Sequence, residues 1–362
     1  MCGVSGLLSQ LEHPIVQAPM AGGPSTAVLA AAVSEAGGLG FLAAGYKAPD
    51  AVRSDLDELR GLTSRAFGLN LFVPGPPSRD RGGLARYAEA LAGEAERYGV
   101  ELGEPRYDDD HWKAKLALAR EERVPVVSFA SGCPSRDVLG SLRDAGCETW
   151  VTVTSPAEAR AATSAGADAL VVQGVEAGGH RGSHEPGAAA DVGLLALLAL
   201  VRDVTELPLV ATGGIATGRG VAAVLAAGAA AAQLGTAFML APEAATSQAH
   251  RQRLRAEAPT AITRAFTGRA ARGIENRFMR EHEGDAPLAY PEVHNLAAPV
   301  RAAARNQGDA EGFNLWAGQA YPLATEAPAG ELVRALAAEA REALGSAGRT
   351  LAHRPERRRE DA

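Results

Sequence analysis

Short apolar segments alternate with helix-length segments between residues 14 and 240, and this alternation limits the possible folds more than any other feature of the chain. Several apolar segments are hydrophobic at consecutive positions, as expected of strands covered on both faces. The predicted strands are 14–20, 38–44, 66–73, 124–131, 148–154, 168–175, 208–214 and 231–240. Eight strands with a helix available between each pair predict a parallel (β/α)8 barrel of the TIM type.

The chain has 362 residues, more than a bare barrel needs, so we expect an added smaller subdomain. The barrel is assigned to residues 1–240 and 326–346, with a helical insertion at 74–121 between the third and fourth strands. Residues 241–325 form the added subdomain and delay the eighth helix, which we place at GELVRALAAEAREALG. The mixed-charge end, residues 347–362, is predicted to be a flexible tail.

Charge and cysteine content exclude several classes of protein. A formal net charge of −7 argues against a general binder of nucleic acid or anionic membranes, although an anionic small molecule could enter a locally positive pocket. Three cysteines without a paired spacing suggest neither a disulfide framework nor a cysteine zinc site. No signal peptide or membrane span is recognisable. We therefore expect a cytoplasmic protein. Its oligomeric state is left as monomer or homodimer.

Glycines follow the last two predicted strands and indicate a phosphate site. Gly213 and Gly214 end the seventh strand, a helix begins at about Thr217, and Gly235 and Thr236 lie within the eighth strand. In such barrels these two loops bind phosphate, because glycine lets backbone N–H groups approach the anion and a helix N-terminus adds positive partial charge. A single glycine would more often serve only a tight turn. The two loops together favour phosphate.

The segment GLGFLA, residues 38–43, matches the pattern of a dinucleotide-binding fingerprint. A real fingerprint follows a strand and opens a helix. This one follows a predicted helix and lies in a strand, so we reject a Rossmann fold.

Eight motifs occur along the chain in the order PIVQAPMAGG, GGLGFLAAGY, GLNLFVP, VVSFASGCP, VQGVEAGGHRG, GGIATGRG, AAQLGTAFM and NLWAGQA. In this order they resemble the class I nitronate monooxygenases, formerly called 2-nitropropane dioxygenases, which act on propionate 3-nitronate. Single motifs are shared with flavin-dependent enoyl-acyl carrier protein reductases, whereas NLWAGQA and ITRAFTGRAARGIENRFM are typical of the monooxygenase branch. The resemblance implies a non-covalent FMN.

The resemblance also implies which residues hold the FMN. The backbone at Ala18, Pro19, Met20 and Ala21 would face the isoalloxazine edge. Asn70 and Gln173, at the ends of the third and sixth strands, would offer amide groups to polar ring or ribityl atoms. Close approach would be permitted by Gly178 and Gly179. The phosphate would be held by Gly213, Gly214, Gln233, Leu234, Gly235 and Thr236.

His180 follows the glycine pair in the loop after the sixth strand, where it can project over the flavin. A histidine can accept a proton from a neutral nitroalkane or, when charged, hold a nitronate anion. The resemblance implies such a catalytic role near the flavin N5. An ordinary loop histidine bonded to backbone is the alternative. His184, four residues later, invites a metal pair, but RGS and EPG exclude the helix that this spacing requires, so we predict no metal.

Other residues carry weaker predictions. Cys133 is expected to be a small buried hydrophobe, because no base is identifiable beside it. Trp316 and Gln319 could reach the pocket, with core packing as the alternative for Trp316. Arg269 and Arg272 are candidates for attracting an anionic substrate.

Two positions depart from the family pattern. A tyrosine is often found in class I enzymes where this chain has Phe313 and Asn314, which leaves the identity of the preferred nitronate open.

The other histidines are interpreted as surface or packing residues: His13, His111, His250, His282, His294 and His353.

The sequence thus predicts an FMN-dependent nitronate monooxygenase, in which the flavin carries out the redox step. It would oxidise alkyl nitronates with O2 to an aldehyde or oxo acid plus nitrite or nitrate. Two alternatives remain. One is a flavin enoyl reductase or NAD(P)H:quinone reductase on the same scaffold, and the other is a non-catalytic FMN-binding protein.

Overall fold

A computed structural model describes residues 6–187 and 191–352. Eight strands form one parallel sheet: β1 (Ile15–Gln17), β2 (Gly40–Ala43), β3 (Phe67–Phe72), β4 (Val126–Ala130), β5 (Glu148–Val153), β6 (Ala169–Gln173), β8 (Leu209–Thr212) and β9 (Ala231–Leu234). Their order is β1-β9-β8-β6-β5-β4-β3-β2, and a parallel bridge between Val16 and Leu39 joins β1 to β2. The sheet therefore closes into the predicted TIM barrel.

The strands are buried on both faces, as their continuous apolar runs predict. One set of side chains fills the barrel interior: Val16, Leu39, Phe41, Val126, Trp150, Ala169, Val171, Val210 and Ala231. The intervening strand residues point outward and pack beneath the helices; Leu42, Val151 and Val172 are at most 1% exposed. Burying both faces of each strand is the main source of stability in such a sheet.

A ring of helices surrounds the barrel: α1 (Ala27–Glu35), α2 (Pro49–Leu62), α5 (Trp112–Glu121), α6 (Arg136–Asp144), α7 (Pro156–Ala165), α8 (Leu194–Arg202), α9 (Gly218–Ala226) and α13 (Ala329–Ala352). Several begin at a serine or threonine N-cap. The side chains of Ser135, Ser155 and Thr217 each accept a hydrogen bond from the backbone N–H three residues later.

Additional elements cover the carboxyl ends of the strands: α3 (Arg81–Ala90), α4 (Ala92–Tyr98), β7 (Gly179–His180), α10 (Gln248–Leu254), β10 (Thr260–Thr263), β11 (Ala271–Ile274), α11 (Arg277–His282) and α12 (Glu292–Asn306). β10, β11 and β7 form an antiparallel sheet in that order. These elements share a second apolar core that includes Tyr87, Phe266, Phe278 and Leu296.

The boundaries differ from the predictions in three places. Residues 74–121 are not one insertion, because α5 packs in the barrel ring whereas α3 and α4 pack on α12. The eighth barrel strand ends at Leu234 rather than at residue 240, since the chain turns at Gly235 into a short 3-10 helix, Thr236–Phe238. The last helix extends to Ala352, into the predicted tail, and residues 353–362 lie outside the described residues.

The segment GLGFLA consists of β2 and the two residues before it, so it lies in a strand as predicted and does not open a helix. A Cβ atom at Gly40 would lie 2.0 Å from the carbonyl oxygen of Ala30, so this glycine serves close packing of α1 on the strand.

None of the helices within residues 6–187 and 191–352 is long and apolar enough to cross a membrane.

Candidate active site

A cavity opens at the carboxyl ends of the barrel strands, beneath the additional elements. It encloses about 1560 Å³ of space, its open mouth included. Its walls come from residues as distant in sequence as Ala18 and Tyr321. Among the described lining residues there is no Asp or Glu, so the cavity is suited to anions.

Most of the residues expected to bind the cofactor line this one cavity. They are Ala18, Pro19, Met20, Ala21, Asn70, Gln173, Gly178, Gly179, Gly213, Gly214, Gln233, Gly235 and Thr236, together with His180. Leu234 does not line it. Its side chain is 1% exposed and packs in the apolar layer between strands and helices, because it alternates with Gln233 and Gly235 along the chain.

The glycine loops shape the cavity wall. Gly213 and Gly214 have φ values of 118° and 67°, conformations that favour glycine. A Cβ atom at Gly178 would lie 2.5 Å from the backbone of Ala317 and Gly318, so only glycine fits there. The backbone N–H of Gly318 donates to Thr236 Oγ1 over 3.1 Å. The contacts at Gly318 bring the loops after β6 and β9 together.

The two predicted amides are used differently. Asn70 Nδ2 donates to Ser128 Oγ over 2.9 Å, which fixes the amide at the end of β3. Gln173 Nε2 donates to the His180 carbonyl oxygen over 3.1 Å, and Gln173 Oε1 accepts from the Gly182 N–H over 2.8 Å. Although Gln173 lines the cavity, its amide therefore holds the loop that carries His180.

A short polar network supports the floor of the cavity. Gln17 Nε2 donates to Ser25 Oγ over 3.0 Å, and Ser25 Oγ accepts from the Met20 N–H over 2.8 Å. Gln17 is fully buried at the end of β1. These bonds fix the loop whose backbone is expected to face the flavin, a role for Gln17 and Ser25 that the sequence analysis did not identify.

His180 is held by a strand rather than by a free loop. It lies on β7 and pairs with Ala271 of β11. Its Nε2 lies 2.9 Å from Thr267 Oγ1. The Tyr290 and Trp316 rings lie 5.6 Å and 5.7 Å from the imidazole, centroid to centroid.

Burial, and to a smaller extent the positive charges of Arg269 and Arg301, lower the pKa of His180 from 6.5 to about 3. The imidazole is therefore neutral at physiological pH. A neutral imidazole keeps one nitrogen lone pair, which can accept a proton or a hydrogen bond.

Tyr46 is a cavity residue that the sequence analysis missed. It has a φ of 68°, unusual for a tyrosine, and its backbone N–H donates to Asp110 Oδ1 over 3.0 Å. Its ring stacks on His294 with centroids 4.2 Å apart, and its hydroxyl accepts from Tyr290 over 3.3 Å. Burial raises the pKa of Tyr46 to about 12, so the phenol stays protonated.

Arg269 and Arg272 do not face the cavity, contrary to the expectation that they attract substrate. Arg269 Nε donates to the Arg181 carbonyl over 3.1 Å and its Nη2 to the Ser183 carbonyl. Arg272 Nε donates to the Val175 carbonyl over 3.0 Å. Both guanidinium groups therefore brace the segment around His180.

Of the two residues that could reach the pocket, Trp316 and Gln319, one does so. Trp316 lines the cavity, whereas Gln319 is exposed and does not. Cys133 is half-buried outside the cavity, and burial raises the pKa of its thiol, which disfavours a nucleophile. His184 Nε2 lies 3.0 Å from the Thr152 carbonyl oxygen, so this nitrogen contacts the backbone of β5.

His250, expected to be a surface or packing residue, lines the cavity and is 7% exposed. Burial, and secondly the charge of Arg305, lower the pKa of His250 to about 4. Phe313, Asn314 and Arg305 also line this part of the cavity. Nothing in the local sequence of α10 or α12 indicates that these helices reach the barrel mouth.

Comparisons with known proteins agree with this geometry. A family model described as nitronate monooxygenase matches residues 6–339. A nitronate monooxygenase from Pseudomonas aeruginosa is 42% identical over 342 residues, covering 91% of this chain and 97% of that protein. A nitroalkane oxidase structure from Streptomyces ansochromogenes is 53% identical with a TM-score of 0.92, covering 95% of this chain and 100% of that one. FabK from Thermotoga maritima is 28% identical with a TM-score of 0.74, covering 95% and 96%.

Proposed function

The chain belongs to the nitronate monooxygenase family, a family of oxidoreductases, and from that premise we propose that it is an FMN-dependent enzyme that oxidises alkyl nitronates with O2. Propionate 3-nitronate is the expected substrate, and the products would be an aldehyde or oxo acid plus nitrite or nitrate. The observation that carries the proposal is a cavity without carboxylates that joins glycine loops at one end to a neutral histidine, His180.

The walls of the cavity fit FMN. The positive φ values at Gly213 and Gly214 and the missing Cβ of Gly235 leave backbone N–H groups accessible to a phosphate, and Thr236 adds a hydroxyl. The Gln17–Ser25 network holds the backbone at Met20 in place for a planar ring. When bound, FMN supplies the electron transfer from nitronate to oxygen.

His180 would act on the substrate as a base. Because the imidazole is unprotonated, its free lone pair can accept the proton from the carbon next to a nitro group, and the C–H electron pair then becomes the C=N bond of the nitronate. A substrate supplied as nitronate has already lost this proton. His180 should therefore matter more for neutral nitroalkanes than for nitronates.

Rings and backbone fix the direction of the imidazole. Tyr290 and Trp316 pack against it, and Gln173 holds its carbonyl oxygen. Since a base must lie within hydrogen-bond reach of the proton it takes, this fixation favours one substrate orientation. The same aromatic walls would exclude water from the reacting carbon.

Anaerobic mixing of the purified, flavin-loaded protein tests the proposal. Propionate 3-nitronate should bleach the yellow flavin absorbance, and NADH should leave it unchanged. Bleaching by NADH but not by the nitronate would contradict the proposal and favour a reductase on this scaffold. Bleaching by neither would favour a non-catalytic flavin-binding protein.

A further inference from the structure

Arg305 has an unusual position in the cavity wall. Among the described residues lining the cavity, it is the one side chain that carries a formal charge at neutral pH. Its guanidinium has no ion-pair or hydrogen-bond partner among the described residues, and it lies over the Phe313 ring, 5.2 Å from the centroid. The stacking fixes the direction of the guanidinium while its N–H donors stay unused.

A second arginine lies one turn earlier on α12. Arg301 is 7% exposed, and its Nε has no hydrogen-bond partner among the described residues. Like charges at positions i and i+4 of a helix repel each other, and neither Arg301 nor Arg305 has a carboxylate partner within the described residues. This part of α12 therefore keeps a positive charge that an anionic ligand would compensate.

Arg301 also determines the orientation of Asn314. Its Nη1 lies 3.2 Å from Asn314 Oδ1 and its Nη2 lies 2.9 Å from the His294 carbonyl oxygen. Because a guanidinium only donates hydrogen bonds, the amide oxygen of Asn314 must face it. The Nδ2 donors of Asn314 then point away from Arg301, and Asn314 lines the cavity.

From this arrangement we propose that Arg305 and Asn314 form a subsite for the distal carboxylate of the substrate, and that Arg301 is the positioning residue that orients Asn314. The enzyme then selects nitronates that carry a second anionic group over those that end in a methyl group. The proposal rests on the proposed function, to which it adds the residues that recognise the far end of the substrate.

The positions of the flanking side chains support two separate ends for the substrate. Trp316 contacts His180 on one side, and Asn314 lies two residues earlier beside Arg301. His250 lies close enough to Arg305 for the arginine charge to lower its pKa. We therefore assign the nitronate carbon to His180 and the distal carboxylate to Arg305, two residues that line the same cavity.

The first test compares substrates that differ only at the far end. We expect wild-type protein to oxidise propionate 3-nitronate with a higher kcat/KM than propyl 1-nitronate. Arg305→Ala should lower that ratio roughly 10- to 100-fold, the size of a hydrogen bond to a charged group, and Asn314→Leu should lower it by less. Arg160→Ala, which removes an exposed arginine on α7, is the matched control and should keep the ratio.

Flavin content is measured on every variant. If Arg305→Ala loses FMN, or lowers kcat/KM equally for both nitronates, the arginine serves the FMN phosphate or the fold, and the subsite is wrong. If the substrate ratio changes while bound FMN is retained, the subsite is supported.

A binding experiment tests the subsite independently of turnover. Succinate carries a planar carboxylate in place of the nitronate, whereas butyrate lacks the second anionic group. By calorimetry, succinate should bind the flavin-loaded wild type at least tenfold more tightly than butyrate, and Arg305→Ala should remove the difference. Equal affinities in the wild type would overturn the subsite even if nitronates are oxidised, and absence of nitronate turnover would instead overturn the proposed function.

Discussion

His180 Nε2 lies 2.9 Å from Thr267 Oγ1, and the same hydroxyl lies 3.2 Å from the Arg269 carbonyl oxygen. A hydroxyl has one proton to donate. When Thr267 gives it to the carbonyl, its oxygen accepts the Nε2–H of His180, and the imidazole lone pair is on Nδ1. In the proposed mechanism, Thr267 thereby leaves Nδ1 as the nitrogen of His180 that can act as the base.

Thr267→Val should therefore impair the base without removing it. The valine matches threonine in shape but cannot accept from Nε2, so we expect kcat with neutral nitroethane to fall about tenfold, or about 1.4 kcal/mol of activation free energy. Thr267→Ser should restore most of the rate. Thr163→Val, which changes a hydroxyl bonded to Thr205, is the control. A serine variant as slow as the valine variant would contradict this role.

His180→Asn should retain FMN and lose turnover. Removing a general base typically lowers the rate 10²- to 10⁴-fold, and the loss should be larger with nitroethane than with its nitronate, which needs no proton removal. Steady-state kinetics with both forms, together with the flavin absorbance of the variant, measure this. Equal turnover by wild type and variant would show that His180 is not the general base.

Gly235→Ala should weaken FMN binding while leaving the fold intact. The added Cβ would lie 3.5 Å from Ala18 and 3.7 Å from Met20, ordinary contacts, and the φ of Gly235 is −103°. The methyl group would, however, stand in the expected path of the phosphate.

Fluorescence titration of the apoprotein should give at least a tenfold higher Kd for the Gly235→Ala variant. Gly140→Ala, on the surface of α6 with open space around it, is the control and should bind FMN as the wild type does. Unchanged FMN affinity in the Gly235 variant would show that this loop does not bind the phosphate.

Histidines with lowered pKa values should make the fold less stable in mild acid. The pKa values of His180, His250 and His294 are lowered in the folded state, principally by burial, whereas unfolded histidine titrates near 6.5. The unfolded chain thus binds more protons below that pH. The free energy of unfolding should fall as pH decreases from about 6.5 towards 4, by up to about 1.4 kcal/mol per pH unit for each histidine.

Urea unfolding at several pH values measures this dependence. His250→Gln should reduce the slope by roughly 1 kcal/mol per pH unit, since one buried histidine is removed. His111→Gln changes an exposed histidine and is the control. Identical slopes for wild type and the His250 variant would show that His250 takes up its proton equally in both states.

The barrel and one side of the cavity could be predicted because their signals are local. Each strand is a short apolar run; Gly213 and Gly214 end one such run, and His180 follows another within five residues. The carboxyl ends of parallel strands meet at one face, so these residues had to lie together. The end of β9 was misplaced because residues 235–240 remain apolar after the chain has turned.

The opposite wall could not be predicted, because it depends on contacts between distant segments. Nothing in the sequence pairs His180 with Ala271, or brings Tyr46 against His294. Sequence alone also does not distinguish an arginine that donates to carbonyl groups, such as Arg269, from one that faces a cavity, such as Arg305.

The central claim is that the cavity at the carboxyl ends of the strands binds FMN, and titration of the apoprotein with FMN tests it most directly. The account predicts a yellow complex that saturates at one FMN per chain. Riboflavin, which lacks the phosphate, should bind more weakly than FMN. A protein that stays colourless at saturating FMN, or that binds riboflavin equally tightly, would contradict it.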